Sequence, residues 1–215
     1  MASAPRSVGV FRRFTEARAA QAVGLTLFAV LNLGCASYQG TAKDVQLASL
    51  KNKGNWLIVP DFPRVLQASN HDCGAAALAS VLTYWGRPTT PEKVAEAEGK
   101  KGKQMSASDI ERHAKSNGLS AFVFYGNMGD ILYEVRRGRP VIVGVGKPYG
   151  EKNKALAHYE VIIGVDPEAK RVLLLDPARG FQTNSFEGFG TEWAASKGVT
   201  IVTFLAQTKA AMSAP

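Results

Sequence analysis

The chain is short of the residues that build metal centres: 215 residues contain three histidines and two cysteines. His71 and Cys73 lie close together, but a zinc site needs further ligands and no second cluster supplies them, so no metal or other cofactor is expected. A GxxxxGK[ST] phosphate loop is absent, which leaves the chain no nucleotide-driven motor of its own, and no internal repeat marks a solenoid or propeller. Aromatic residues make up 9% and are not interleaved with the scattered lysines and arginines. The net charge of +8 therefore reads as a solvated basic surface, not as a nucleic-acid interface.

Long apolar runs are also scarce. One, Ala19 to Cys35, follows Arg12, Arg13 and Arg18, and it is short for a membrane span but suited to a secretory signal. Its end, Gly34-Cys35, resembles the lipobox of bacterial lipoproteins, in which the cysteine becomes the lipidated first residue. That resemblance implies a lipid anchor at Cys35 and a place in the bacterial cell envelope, facing the periplasm; Ala36 after the cysteine points to the outer membrane. The alternatives are a plain signal anchor, or a disulfide between Cys35 and Cys73 in an oxidising compartment. The organisation expected is a signal peptide over 1–35 and a flexible polar tether over 36–54. One domain over 55–207 and a tail over 208–215 complete the chain.

Within the domain, helices come first. "NWLIVPDFP" reads as a short strand stopped by Pro60 and Pro63, and the spacing predicts a helix from Cys73 to Tyr84 ended by Gly86. Thr90-Pro91-Glu92 caps a second helix, and Ser108 with Glu111 has capping-box spacing for a third, ended at Asn117-Gly118. From Ser120 the chain turns to strands: "SAFVFYG", "PVIVGVG", "HYEVIIGV", "RVLLLDP" and "VTIVTFLA". Helices "DILYEVRRG" and "TEWAAS" are interposed. The class is α+β, a helical half followed by a mostly antiparallel sheet.

Cys73 stands between Asp72 and Gly74 at the first turn of the alanine-rich helix. Unpaired backbone N–H groups and the helix dipole there favour thiolate over thiol, the making of a nucleophile; a small buried structural residue is the other reading. A base and its orienter can be read from "HYEVIIGVDPEAKRVLLLDPARG". Folded as a hairpin about "DPEAK", it brings His158 nearly opposite Asp176, and facing residues have Cβ atoms about 4.5–5.5 Å apart. A carboxylate gripping one ring nitrogen leaves the other to exchange a proton with a thiol. Asp166 competes for the acid role, but Asp166-Pro167 opens the turn and is expected to face solvent. Gln67, six residues before Cys73, could join the Cys73 N–H in an oxyanion hole. His113 is expected on the surface, and Trp85 and Trp193 in the core.

These residues resemble the papain-like, bacteriocin-processing double-glycine cysteine peptidases, which occur as domains of bacterial peptide exporters and as separate proteins. The likeness lies in "Q-x5-C-G-x-A-A-L-A" at Gln67 to Ala79, "H-Y-x-V-I-I-G-V" at His158 to Val165 and "D-P-A-R-G" at Asp176 to Gly180. It implies Cys73 as nucleophile, His158 as base, Asp176 as orienting acid and Gln67 as oxyanion donor. It further implies an extended peptide or secreted-protein substrate, cut after Gly-Gly, and a separate export system as partner. A non-catalytic peptide-binding module on the same fold and a papain-like cell-wall hydrolase are the rival readings. The hydrolase family carries "DCSG" where this chain has "DCGAAALA".

Overall fold

A computed structural model describes residues 37–50, 53–149 and 154–205. Cys35, the signal-like segment and the tail from 206 onward lie outside the described residues. The helices are α1 (Cys73–Tyr84), α2 (Pro91–Ala97), α3 (Ala107–Ser116), α4 (Met128–Arg136) and α5 (Phe186–Ala194). The strands are β1 (Lys43–Asp44), β2 (Leu57–Ile58), β3 (Leu119–Tyr125), β4 (Val141–Tyr149), β5 (Lys154–Asp166), β6 (Arg171–Asp176), β7 (Gly180–Ser185) and β8 (Val199–Leu205).

The sheet runs β1-β7-β6-β5-β4-β8-β3 with β2 added on β5, and every pairing is antiparallel. The class is α+β, as expected. β6 is central, and Val172 to Leu175 are all fully buried, because a strand covered on both faces needs no polar alternation. α1 is buried from Cys73 through Leu82, so its alanines serve close packing against β5 rather than helix propensity alone.

Local signals acted where they were clear. Thr90 accepts the Lys93 N–H at the start of α2. α3 begins two residues before the expected point: Ser106 and Asp109 make the reciprocal cap, not Ser108 and Glu111, since an aspartate three residues on reaches back as well as a glutamate. α5 extends further toward its amino end than "TEWAAS". Its two glycines weaken the signal, but Ser185 caps the helix and fully buried Phe189 stacks on Trp193 at 5.4 Å.

Three expectations are corrected. Asp166 is buried, 3% exposed, and accepts the Ala169 N–H at 3.0 Å within the turn it opens. His113 is buried, its Nδ1 3.0 Å from Glu98 Oε1, so the polar helix turns that residue inward to a hydrogen-bonding partner. Residues 37–50, read as part of a flexible tether, are docked on the domain. β1 pairs with β7, the Val45 N–H donates to Phe181 O at 3.0 Å, and Gln182 and Asn184 give their side chains to the docked segment. β7 itself was not foreseen. "GFQTNS" lacks apolar alternation because Gln182 and Asn184 turn their side-chain amides to this incoming segment, while Thr183 accepts from Arg171.

Candidate active site

α1 delivers Cys73 as its first residue, a free thiol that is 3% exposed. Gly74 behind it is required by packing: a Cβ there would lie 3.2 Å from both Met105 and the Tyr159 ring. β5 delivers His158, and β6 ends on Asp176. Val161 pairs with Leu175, so one step on Glu160 faces Asp176, and His158 is the diagonal neighbour on the same face. Diagonal rather than opposite placement still brings His158 Nε2 to 2.8 Å from Asp176 Oδ1. The ring also faces the Cys73 thiol across the cavity that both residues line. With Nε2 engaged by the acid, Nδ1 is the nitrogen left for the thiol.

The charges of this trio are set by burial against pairing. Burial pulls the His158 ring down, but the hydrogen bond to Asp176, the neighbouring Cys73 and the charge of Asp176 prevail and raise it to about 10. Burial pushes Asp176 up, and donation from His158, Tyr38 and the Ala178 backbone outweighs it, holding the carboxyl at about 2. The imidazolium and the carboxylate are therefore the stable forms across the physiological range. Asp176 is saturated: Oδ1 accepts from His158 and from the Ala178 N–H at 2.7 Å, and Oδ2 accepts from the Tyr38 hydroxyl.

Beside the thiol is a cavity of about 130 Å³ whose lining includes Gly144, Val145, Ala157, Met105 and Ser196. Its wall is tight at Gly144, where a Cβ would press on Val199 at 3.3 Å. Gln67 is half-buried. Its backbone N–H donates to the carbonyl of Pro177, the residue after Asp176, at 2.9 Å, and its side-chain Oε1 is buried with no partner.

Below the trio lies a charged group that the sequence reading missed. Lys147, 2% exposed, sits 2.7 Å from Glu160 Oε1 and 2.6 Å from Glu192 Oε2, with Tyr38's ring 3.7 Å away. The contact with Glu160 is a short ion pair without hydrogen-bond alignment, and Glu160 Oε2 has no partner at all. Burial pushes the Glu160 carboxyl up, against the pull of Lys147. A lysine and a glutamate inside "VIVGVGK" and "HYEVIIGV" were the available signal, since a charge within a buried strand must find its opposite. His158, Glu160 and Asp176 offer ligand atoms within 4.8 Å of one another. Lys147 already places a cation against Glu160, and the His158 nitrogen facing the group is held by Asp176, so the set is built for charge pairing.

Several solved structures share this fold. The peptidase domain of Streptococcus ComA, a bi-functional ABC transporter involved in a quorum-sensing pathway, is 26% identical, with a TM-score of 0.54 over 67% of this chain and 99% of that one. A double glycine motif protease from an AMS/PCAT transporter, in complex with the leader peptide, is 23% identical with a TM-score of 0.54, covering 67% and 91%. A putative C39-like peptidase from Bacillus anthracis is 18% identical with a TM-score of 0.56, covering 72% and 100%. No curated protein sequence matches the chain. The Peptidase C39 family model matches residues 61–205, which takes in the helix of Cys73, the hairpin of His158 and Asp176, and the last strand of the sheet. On that match and this papain-like fold, the chain belongs to the peptidase C39 family.

Proposed function

We propose that the chain is a cysteine endopeptidase acting on an extended peptide at a pair of small residues, Gly-Gly first among them, in the service of an export or assembly system at the cell envelope. The observation that carries this reading is the His158 ring, held by Asp176 at 2.8 Å on one side and facing Cys73 on the other, in the lining of one narrow cavity. The Cys73 sulfur attacks the scissile carbonyl, and the developing oxyanion is met by the Cys73 N–H and the Gln67 side-chain amide. The imidazolium of His158 gives its proton to the leaving amine, leaving a thioester. Water, deprotonated by the now neutral ring, then frees the acid product. Paired glycines suit the walls formed by Gly144, Val145 and Ala157, because a backbone without side chains can enter where a Cβ could not. The leader peptide bound to the double glycine motif protease that shares this fold supports the same substrate class.

The test is incubation of the protein with a library of extended peptides, with product termini read by mass spectrometry. Cutting after Gly-Gly is the expected result. Cutting only cell-wall peptides with D-residues would move the chain to the hydrolase reading, and no cutting with Cys73 reduced and reactive would make it a binding module.

The roles predict a graded series in the rate of peptide cleavage. His158→Ala removes both acid and base and is nearly as severe as loss of the thiol. Asp176→Asn is milder, because the amide oxygen still accepts from the ring while the charge that stabilises the imidazolium is gone. Gln67→Ala lowers kcat by roughly a hundredfold, the increment of one oxyanion donor. A Gln67→Ala rate equal to wild type would remove Gln67 from the site.

The same proposal attaches the protein to the periplasmic side of the outer membrane through a lipidated Cys35. Among the described residues no helix is long and apolar enough to cross a membrane. Mass spectrometry of the mature amino terminus would find lipid on Cys35; an unmodified Cys35 or a retained Met1 would overturn the anchor.

A further inference from the structure

We propose that Tyr38 is a positioning residue for Asp176, and that the strap carrying it, residues 37–45, is a working part of the active site. The proposal rests on the assignment of Cys73, His158 and Asp176 as the reacting trio. Asp176 has two carboxylate oxygens and only one faces His158. The other accepts the Tyr38 hydroxyl from a residue 138 positions earlier in the chain. Without that donor the carboxylate would be free to rotate about its side-chain bond, or to take a proton at Oδ2.

The strap is built to hold this ring in place. Ser37 N–H donates to Pro148 O at 3.0 Å, Gln39 N–H to Glu192 Oε1 at 2.6 Å, and Thr41 N–H to Asn184 Oδ1 at 3.1 Å. Asn184 in return donates to Gln39 O at 3.0 Å, and β1 then joins the sheet edge at β7. Two glycines allow the close approach. Gly40 has φ +74°, and a Cβ on Gly188 would stand 2.5 Å from Gln39 O and 2.6 Å from Gly40 Cα. The Tyr38 ring has Lys147 at 3.7 Å and Arg179 at 5.0 Å, a cationic pair that fixes its plane. Burial first, then the negative charges of Glu160 and Asp176, keep its hydroxyl protonated, so it acts only as donor toward the carboxylate.

The groups that bear on Asp176 come from every side. Tyr38 approaches from the strap, His158 and Glu160 from β5, Lys147 from β4 and Arg179 from the turn after β6, while Glu192 of α5 faces Lys147. Only Tyr38 and His158 among these side chains donate directly to its oxygens. The Ala178 backbone, which also donates to Oδ1, is unaffected by substitution at Tyr38. Removing the Tyr38 hydroxyl therefore makes Asp176 easier to protonate, and a protonated Asp176 no longer supports the imidazolium that faces the thiol.

The test follows alkylation of Cys73 by iodoacetamide from pH 1.5 to pH 9, read on the Cys73 peptide by mass spectrometry so that Cys35 does not contribute. Tyr38→Phe keeps the ring and loses the donor. Its low-pH arm is expected to move up by about one pH unit, the effect of one lost hydrogen bond to a charged group, with little change at pH 8. Gly188→Ala, which displaces the strap at Gln39 and Gly40 without touching the trio, is expected to shift the arm the same way. In peptide cleavage both variants lower kcat and leave KM unchanged, since the strap does not line the cavity beside the thiol. Superimposable profiles for wild type, Tyr38→Phe and Gly188→Ala would overturn the proposal. So would a fall equal at every pH that tracks a loss of melting temperature, the mark of a merely structural strap. The alkylation readout needs no substrate: a shifted arm in a protein that cuts no peptide would sustain the positioning role and defeat the peptidase reading, and an unshifted arm in an active peptidase would do the reverse.

Discussion

Cys73→Ala is expected to remove turnover altogether, to background in any peptide-cleavage assay, while circular dichroism and melting behaviour stay close to wild type. The residue opens α1 and is followed by Gly74, Ala75, Ala76 and Ala77, so an alanine side chain adds nothing foreign to that environment. Alanine is also the best helix former. The void left by one sulfur atom is small, and its cost is expected to be of the order of 1 kcal/mol, since larger deletions in buried positions cost roughly 2–5 kcal/mol. Against that minor structural change stands the loss of the sulfur proposed to form the acyl intermediate. His158 cannot substitute, because it is held as the imidazolium and its Nε2 is committed to Asp176. Residual binding without cleavage is the expected behaviour, and a Cys73→Ala protein should retain a cleavable peptide long enough to be captured with it. Full activity in this variant would defeat the nucleophile assignment outright.

The largest expected effect on stability belongs to Lys147→Met. Lys147 is 2% exposed and is the shared cation of two carboxylates, Glu160 and Glu192, which are 0% and 1% exposed. Methionine matches the length of the stem but leaves those charges buried without a counterion, a situation that costs about 3–5 kcal/mol when one partner of a buried pair is removed. Denaturant titration at neutral pH should show that loss. The deficit should depend on pH in a set direction. Burial raises the Glu160 carboxyl above its ordinary value in the folded protein, so folding is disfavoured while Glu160 is ionised and the penalty disappears as pH falls through the raised value. Without Lys147 to pull it down, the carboxyl rises further. The gap between variant and wild type should therefore narrow toward acid pH. The double variant Lys147→Met with Glu160→Gln should recover part of the loss at neutral pH. A pH-independent deficit, or none, would mean that the two glutamates do not depend on this lysine.

Much of the architecture was legible in the chain because the signals were local. The helix from Cys73 to Tyr84, the cap at Thr90 and the strands from "SAFVFYG" to "VTIVTFLA" follow from capping residues, turn glycines and apolar runs that act within a few positions of one another. The hairpin is equally local, and its two strands by themselves carry His158 close to Asp176. What could not be read were contacts whose partners are remote. Tyr38 and Asp176 are 138 residues apart, and nothing near either position marks the other. β7 is polar because Gln182 and Asn184 bond a distant strap, so its strand character is invisible to hydrophobic periodicity. Lys147 and Glu192, 45 residues apart, meet only because α5 folds back on β4.

The sequence by itself determined the helices, the longer apolar strands and the reactive groups: the class of fold, the thiol at a helix entrance, and the imidazole and carboxylate on one hairpin. Tertiary structure alone decided how those groups are held. It set the diagonal register that leaves Glu160 across from Asp176, closed the second oxygen of Asp176 with Tyr38, placed Lys147 under the site and narrowed the cavity beside Cys73. Helices, turns and a two-strand pairing arise from interactions between residues close in the chain, whose loop-closure cost is small. The enclosure of a charged site requires residues brought together from far apart, and only the completed fold stabilises those contacts.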